Sequence, residues 1–188
     1  MLLICDEVAT GFGRTGTMFA CEQEAVSPDL MCLAKGISGG YLPLAATLAT
    51  EAVYSAFLGQ YEQKLTFFHG HTYTGNPLAC AAGIASLEIF ERDHVLEKLQ
   101  PTIAHLHQRL DERLGSLAPV VEIRRRGLMI GVELGPYAYE QAIGARVCAD
   151  LRRRGVILRP LGNVLVMMPP LSITLDEIDR LVEAPRAS

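Results

Sequence analysis

The sequence contains no tryptophan, and only 6% of its 188 residues are aromatic. It also lacks an apolar run of the roughly 18 residues that a membrane-spanning helix requires, and no signal peptide precedes its first apolar segment. Positive charge is not in excess either, because 17 lysines and arginines face 21 acids and give a net charge of −4. Two arginine triplets, residues 124–126 and 152–154, are expected to be solvated faces and not an anion-binding tract. We therefore expect a cytoplasmic protein that binds neither membranes nor nucleic acid.

Cysteines are few, odd in number and scattered. They lie at Cys5, Cys21, Cys32, Cys80 and Cys148, mostly among apolar residues. This pattern predicts reduced, buried thiols and no disulfides, as is typical of cytoplasmic proteins. His69 and His71 are separated by one glycine, and no third ligand follows at zinc spacing, so we expect no metal site.

Two short apolar runs are each followed by a charged side chain that could take part in catalysis. Residues 1–5 lead into Asp6, and residues 29–34 lead into Lys35, which opens a glycine-rich segment. Such runs predict buried strands of a parallel sheet, whose carboxyl ends meet at one edge, so the two side chains should lie side by side. A lysine amine and a carboxylate are the groups that hold pyridoxal phosphate (PLP). On these two residues alone, solvated charges at a sheet edge remain the alternative.

Longer motifs surround both residues and resemble the class III PLP-dependent aminotransferases. They cover residues 6–16, 27–29, 33–40 and 68–82 in that family's order and spacing. The resemblance runs over nearly the whole chain and implies an α/β fold, the C-terminal portion of a fold-type I PLP-dependent transferase. Residues 1–93 would form part of the large-domain sheet, and residues 94–188 a small α+β C-terminal domain.

The resemblance also implies roles for individual residues. Lys35 would bind PLP covalently and transfer a proton as general base and acid, and Asp6 would pair with the pyridine nitrogen. Thr72, with Gly70 and His71, would hold the cofactor phosphate of the partner subunit in a homodimer with a shared active site. A simple turn remains the alternative for that segment.

Arg159 follows an apolar strand and precedes Pro160, which predicts a buried or cleft-facing guanidinium. Such a group needs a partner, and its forked donors suit a carboxylate. The resemblance implies that Arg159 binds the carboxylate of a small keto-acid substrate, and an internal salt bridge is the alternative. Glu7 is expected to be a structural salt-bridge partner, and Arg14 is expected to be structural.

Within the class, residues 12–16, 20–22, 69–73 and 158–160 are most similar to enzymes of biotin biosynthesis. That similarity implies transamination of a keto acid, with S-adenosylmethionine as the amino donor. Two alternatives remain: another class III member acting on ω-amino acids or diamines, or an inactive fragment that only dimerises. Because the resemblance begins inside the large domain, we expect an N-terminally truncated piece of a longer enzyme.

Overall fold

The computed structural model describes residues 1–186. The chain forms two compact units, the first made of residues 1–13 and 17–95 and the second of Arg14–Gly16 and the chain from Leu96 onward. The predicted domain division between residues 93 and 94 stays a prediction. Among the helices of residues 1–186, none is both long and apolar enough to cross a membrane.

The first unit contains a three-stranded sheet. Its strands are β1 (Ile4–Asp6), β2 (Leu30–Leu33) and β3 (Ala46–Ala49), in the order β1-β2-β3. Strands β1 and β2 are parallel, as predicted, whereas β3 is antiparallel to β2. Both β1 and β3 are edge strands in the part of the chain that the structure describes.

The prediction that these strands are buried is wrong for most of the sheet. Ile4 in β1 is 62% exposed and Leu48 in β3 is 51% exposed, whereas Leu33 is buried. Residues 1–3, which lead into β1, are exposed as well. Apolar strand residues are shielded only where another element packs on their face, and nothing within residues 1–186 packs over these.

Two helices follow the first sheet, the short α1 (Glu51–Ser55) and the longer α2 (Pro77–Arg92). Helix α2 begins at Asn76, whose side-chain oxygen accepts hydrogen bonds from the backbone N–H groups of Leu78 and Ala79 at 3.0 and 3.2 Å. This arrangement caps the helix and satisfies two otherwise unpaired donors.

Helix α2 is apolar on almost every side. Gly83 is buried against Leu44, where an added Cβ would come within 2.8 Å of a side-chain carbon. The rest of the helix surface exposes Leu78, Ile84 and Leu87. A helix that is apolar all round is typical of one buried on every side.

The second unit is built on a four-stranded antiparallel sheet. Its strands are β4 (Val120–Arg126), β5 (Met129–Leu134), β6 (Arg159–Leu161) and β7 (Val164–Met167), in the order β4-β5-β7-β6. The apolar runs 156–159 and 164–168, with Gly162-Asn163 between them, predict a hairpin. The hairpin is confirmed, but β6 begins at Arg159 and not at residue 156. Pro160 is tolerated there because β6 is an edge strand.

Three helices complete the second unit: α3 (Val95–Arg113), α4 (Ile143–Arg153) and α5 (Leu175–Arg186). Helix α3, which the apolar spacing predicted, turns one face towards the core. The core of this unit consists of Leu99, Leu106, Leu110, Leu114, Leu128, Ile130, Val132, Leu134, Cys148, Leu165, Met167, Ile178 and Val182. In the first unit, by contrast, only Phe12, Leu33 and Ala79 are buried apolar residues.

Candidate active site

Asp6 is the last residue of β1, and Lys35 lies two residues after the end of the neighbouring strand β2. Asp6 is opposite Cys32 in the parallel register of β1 and β2, and Lys35 follows three residues after Cys32. The pairing of the two strands therefore brings the ends that carry these side chains to one place. Both residues are exposed, so both can reach a ligand at this edge.

The backbone at Lys35 is strained. Its φ is +48°, a left-handed conformation that side chains other than glycine adopt at a cost of roughly 1–2 kcal/mol. The next residue, Gly36, has no room for a side chain, because an added Cβ would lie 2.6 Å from the Cβ of Phe12. Strain of this kind is concentrated at functional sites, where surrounding packing maintains it.

The carboxylate of Asp6 is only partly engaged within the chain. Its Oδ1 atom accepts a hydrogen bond of 3.0 Å from the backbone N–H of Val8. The other oxygen accepts no hydrogen bond within residues 1–186. One oxygen thus orients the carboxylate at the strand end, and the other is available to a donor on a ligand.

Glu7 is buried, and its expected role as a salt-bridge partner is wrong. Its carboxylate accepts hydrogen bonds from the hydroxyl of Thr10 and from the backbone N–H of Cys21, the latter at 2.9 Å. Burial raises the pKa of Glu7, but these hydrogen bonds outweigh it and leave that pKa below its ordinary value. The sequence did not predict that Glu7 holds this loop through hydrogen bonds. The one local signal for it is the threonine three residues after the glutamate.

Arg14 lies in the second unit, and its expected structural role agrees with its contacts. Its guanidinium donates to the backbone carbonyl of Pro169, and its own carbonyl accepts a hydrogen bond of 2.9 Å from the N–H of Leu128. Two residues further along, the carbonyl of Gly16 accepts a hydrogen bond of 2.8 Å from the side-chain amide of Gln100. Burial lowers the pKa of Arg14. These contacts hold a glycine-rich segment against three separate parts of the unit.

Gly70, His71 and Thr72 lie in an exposed loop before α2. The backbone N–H of His71 donates to the hydroxyl of Thr74 at 3.0 Å, and the N–H of Tyr73 donates to the His71 ring at 3.1 Å. The Thr72 hydroxyl makes no hydrogen bond within residues 1–186, and neither does any of these three residues to Lys35 or Asp6. The loop is a turn, as the simpler alternative holds, and it leaves the Thr72 hydroxyl available to another molecule.

Arg159 is exposed and faces a cleft, which is the second of the two placements that the sequence predicted. It lines a cavity of about 610 Å³ in the second unit, between β6 and α5. The walls include the apolar side chains of Ile157, Met168 and Ile173 and the charged side chain of Arg180. Arg159 forms no ion pair within residues 1–186, so no internal salt bridge of Arg159 is present in this part of the chain.

The thiols are free, but the prediction that they are buried is correct only for Cys148. The other four cysteines are half-buried, because three of them lie in the thinly covered first sheet and its loop and Cys80 lies in α2. Burial, followed by the neighbouring carboxylate of Glu7, raises the pKa of Cys21. Across residues 1–186, no group of three or more His, Cys, Asp or Glu side chains could hold a metal ion.

A parallel strand pair with a strained lysine at its end, joined to an antiparallel α+β unit, defines the fold class of the chain as that of the PLP-dependent transaminases. The structure superposes on the crystal structure of adenosylmethionine-8-amino-7-oxononanoate aminotransferase from Methanocaldococcus jannaschii with a TM-score of 0.95 and 47% identity. The match covers 100% of this chain and 45% of that one. This confirms the predicted fold class.

The chain belongs to the family described as Aminotransferase class-III, whose sequence profile matches residues 1–186. It is 57% identical over 195 residues to adenosylmethionine-8-amino-7-oxononanoate aminotransferase of Nitratidesulfovibrio vulgaris, covering 100% of this chain and 36% of that protein. It is 54% identical to the enzyme of the same name from Geobacter sulfurreducens, covering 97% and 42%. The chain thus spans less than half the length of these relatives.

Other transaminases of known structure are also similar. An amine transaminase from an uncultivated Pseudomonas species, solved in its PLP-bound form, matches with a TM-score of 0.92 and 39% identity over 100% of this chain and 44% of that one. The structural similarity therefore extends beyond the adenosylmethionine-8-amino-7-oxononanoate aminotransferases to a transaminase that is named for amine substrates.

Proposed function

We propose that the chain is part of a PLP-dependent aminotransferase. In this proposal the enzyme converts 8-amino-7-oxononanoate to 7,8-diaminononanoate, with S-adenosylmethionine as the amino donor. The observation that carries the proposal is the placement of Asp6 and Lys35 at the ends of two paired parallel strands. The relatives at 54–57% identity, which are named for this reaction, support the choice of substrate.

The residues at the sheet edge fit PLP. An exposed lysine amine can bind the aldehyde carbon, and the open oxygen of Asp6 can accept a hydrogen bond from a protonated ring nitrogen. The strained backbone of Lys35 and the close approach of Gly36 to Phe12 fix the position of the lysine. When bound, PLP supplies an electron sink that stabilises negative charge on the substrate carbon next to the amine.

Lys35 and Asp6 have separate tasks in this mechanism. The Nζ atom of Lys35 would hold the cofactor and, when free, would carry the proton that the substrate carbon releases. The carboxylate of Asp6 would accept a hydrogen bond from the ring nitrogen and favour the protonated form of that nitrogen, because an opposite charge at hydrogen-bond distance favours the charged form. Its hydrogen bond from Val8 orients the carboxylate for this task.

Arg159 binds the keto acid in this proposal. Its cavity combines the guanidinium of Arg159, which forms no ion pair within residues 1–186, with apolar walls, and Arg180 also lines it. This lining suits a carboxylate at the end of an aliphatic chain. The wall residues Ile157 and Met168 would cover the methylene groups. Binding the far end of the substrate in this way orients its reactive end without contacting it.

The loop of Gly70, His71 and Thr72 acts in the partner subunit of a homodimer. Its exposure and the free Thr72 hydroxyl favour this role, since a phosphate needs a hydroxyl and backbone N–H donors that are not already used. The active site would then be shared between two copies. The substrates are small molecules, and the cofactor is PLP.

A second candidate is another class III aminotransferase that acts on amines or ω-amino acids. An (S)-enantioselective omega-transaminase from Thermomicrobium roseum matches 98% of this chain with a TM-score of 0.89 and 38% identity. Its similarity favours the same chemistry at Lys35 with a different donor. Measuring activity with S-adenosylmethionine and with a simple amine separates the two candidates.

The proposal is tested with a chimeric protein. The part of the Geobacter sulfurreducens relative that this chain does not cover is joined to residues 1–188. The chimera is mixed with PLP and reduced with borohydride, and the modified lysine is located by mass spectrometry. We expect the label on Lys35 and formation of 7,8-diaminononanoate.

Lys35→Ala should remove the label and reduce turnover by about 10³-fold or more, because the covalent link and the proton-transfer group are both lost. Lys64→Ala is the matched control, since Lys64 is also an exposed lysine of the first unit with a left-handed backbone. A chimera that binds PLP but labels another lysine would reject the assignment. One that folds without binding PLP would favour an inactive, dimerising fragment.

A further inference from the structure

A second cavity, of about 540 Å³, reaches the hydrophobic core of the second unit. Its floor is formed by core residues just after α3 and in the sheet, including Leu114, Val132 and Leu165. Small-molecule sites in proteins occupy roughly 300–1,000 Å³ and are mostly apolar, so this cavity has the size and lining of a binding site. It shares no lining residue with the cavity of Arg159.

The mouth of this cavity carries positive charge. Arg146, Asp150 and Arg153 line it at positions i, i+4 and i+7 of α4, which places them on one face of the helix. Asp150 is already paired, with Arg154 at 2.8 Å and with Arg153 at 3.8 Å. The guanidinium of Arg146 makes no ion pair or hydrogen bond within residues 1–186. One cation at the mouth is therefore left for a ligand.

We propose that this cavity is a binding site for a small aliphatic carboxylate. The apolar chain would fill the recess above Leu114 and Val132, and the carboxylate would lie against Arg146. An arginine suits this group because its forked donors match two carboxylate oxygens. Burial of the ligand's aliphatic chain is favourable because side chains around an empty recess lack van der Waals contacts, which the ligand would supply.

The site binds a ligand but does not transform it. Among its lining residues there is no lysine, cysteine, serine or histidine that could act as a nucleophile or base. The proposal does not depend on the proposed aminotransferase activity, because all of its residues lie in the second unit, which has its own hydrophobic core.

The test uses the whole chain, fused to a soluble carrier protein, and a photoreactive octanoate with a diazirine on its alkyl chain. Labelled peptides are mapped by mass spectrometry. We expect label within residues 132–150, which include lining residues of this cavity, and a Kd for octanoate of roughly 0.1–1 mM, as suits so small a ligand. Label confined to residues 155–159 and 168–181, which contain lining residues of the Arg159 cavity and none of this one, would overturn the proposal.

Two matched pairs of variants locate the ligand. Ala149→Trp places a large side chain at the mouth, whereas Ala145→Trp changes an exposed residue of the same helix outside the lining. The first should reduce labelling of residues 132–150 at least fivefold, and the second should leave it unchanged. Equal labelling in both variants would show that octanoate does not enter this cavity.

The charge is tested in the same way. Arg146→Gln should raise the Kd for octanoate roughly three- to tenfold, whereas Arg152→Gln, on the same helix but outside the cavity, should not. Octylamine, which carries the opposite charge, should not compete with the photoreactive octanoate. Equal effects of the two substitutions, or full competition by octylamine, would reduce the site to a nonspecific apolar recess and contradict the proposal.

Discussion

The buried carboxylate of Glu7 accepts a hydrogen bond of 2.9 Å from the backbone N–H of Cys21, 14 residues further along the chain. This bond closes the base of the loop that follows Asp6. Thr10, inside the loop, donates to the other oxygen of the same carboxylate. The position of Asp6 at the strand end is therefore coupled to a neighbouring carboxylate that is itself buried.

Replacing Glu7 by glutamine should loosen the loop. The amide keeps an acceptor but loses the charge, so hydrogen bonds worth about 1.5–3 kcal/mol to a charged group become weaker. We expect the Cys21 amide to exchange its hydrogen roughly 10- to 100-fold faster, measured by hydrogen–deuterium exchange. Glu62→Gln is the control, because Glu62 is exposed in the same unit. An unchanged exchange rate of the Cys21 amide in Glu7→Gln would show that the Glu7 carboxylate does not hold this loop.

The same hydrogen bonds should weaken in acid. Hydrogen bonds hold the pKa of Glu7 below its ordinary value of 4.5, so its contribution to stability is fully present above that value. It is lost as the pH falls below 4.5 and through the folded-state pKa. The ratio of Cys21 protection factors in the native chain and in Glu7→Gln, measured from pH 6 to pH 3, should fall towards one. A ratio that stays constant would contradict the prediction.

Asp6→Asn should slow transamination in the chimera by about tenfold or more, which corresponds to at least about 1.4 kcal/mol in the barrier. The amide keeps the shape of the carboxylate but no longer holds the ring nitrogen protonated. Asp6→Glu restores the charge and should recover part of the rate. Stopped-flow measurement of the half-reaction with the amino donor checks both variants. A change of less than tenfold in Asp6→Asn would mean that this carboxylate is not the partner of the ring.

Arg159→Ala should mainly raise the KM for 8-amino-7-oxononanoate. Loss of one charge-assisted contact costs about 1.5–3 kcal/mol, or roughly ten- to a hundredfold. The half-reaction with the amino donor should change far less. Arg180→Ala is the matched control, because Arg180 lines the same cavity. Equal damage to both half-reactions would favour a structural arginine or one that binds every substrate, and the ω-aminotransferase candidate would then be preferred.

The chain by itself should self-associate and should not bind PLP at micromolar concentrations. The first unit exposes Ile4 and Leu48 on its two edge strands and Leu78 and Ile84 on α2, and exposed apolar edges promote association between chains. Analytical ultracentrifugation should detect large species for residues 1–188 and a defined dimer for the chimera. A monodisperse, PLP-bound preparation of residues 1–188 would contradict this prediction.

The sequence predicted those elements whose pattern is local. The pattern of residues 128–134 predicts a strand and the apolar spacing of residues 95–114 predicts a helix, and both are present as β5 and α3. A threonine followed three residues later by an acid predicts a helix cap at Thr174, and the Thr174 N–H does donate to Glu177 at 2.8 Å before α5. The strand ends at Asp6 and Lys35 were also predictable, because short apolar runs followed by glycine predict neighbouring parallel strands.

Features that depend on distant residues could not be predicted. The exposure of β1 depends on what packs over it, which its own apolar residues do not reveal. Glu7 was expected to form an ion pair, because its true partner, the Cys21 N–H, is a backbone group that no sequence pattern marks. The partners of Arg14 lie more than a hundred residues away. The start of β6 was misplaced because Pro160 is acceptable only at an edge, and sequence does not identify edges.

The placement of Arg14–Gly16 within the second unit makes that unit discontinuous in sequence. The contacts of Arg14 with Leu128 and Pro169 join residues that are far apart in the sequence. Closing loops of this length costs conformational entropy, so we expect these contacts to form late in folding. A gene fragment beginning at Leu96 would therefore encode an incomplete unit. Adding a short peptide of the Arg14–Gly16 sequence, by covalent fusion at a permuted terminus, is the route to an independently folding version.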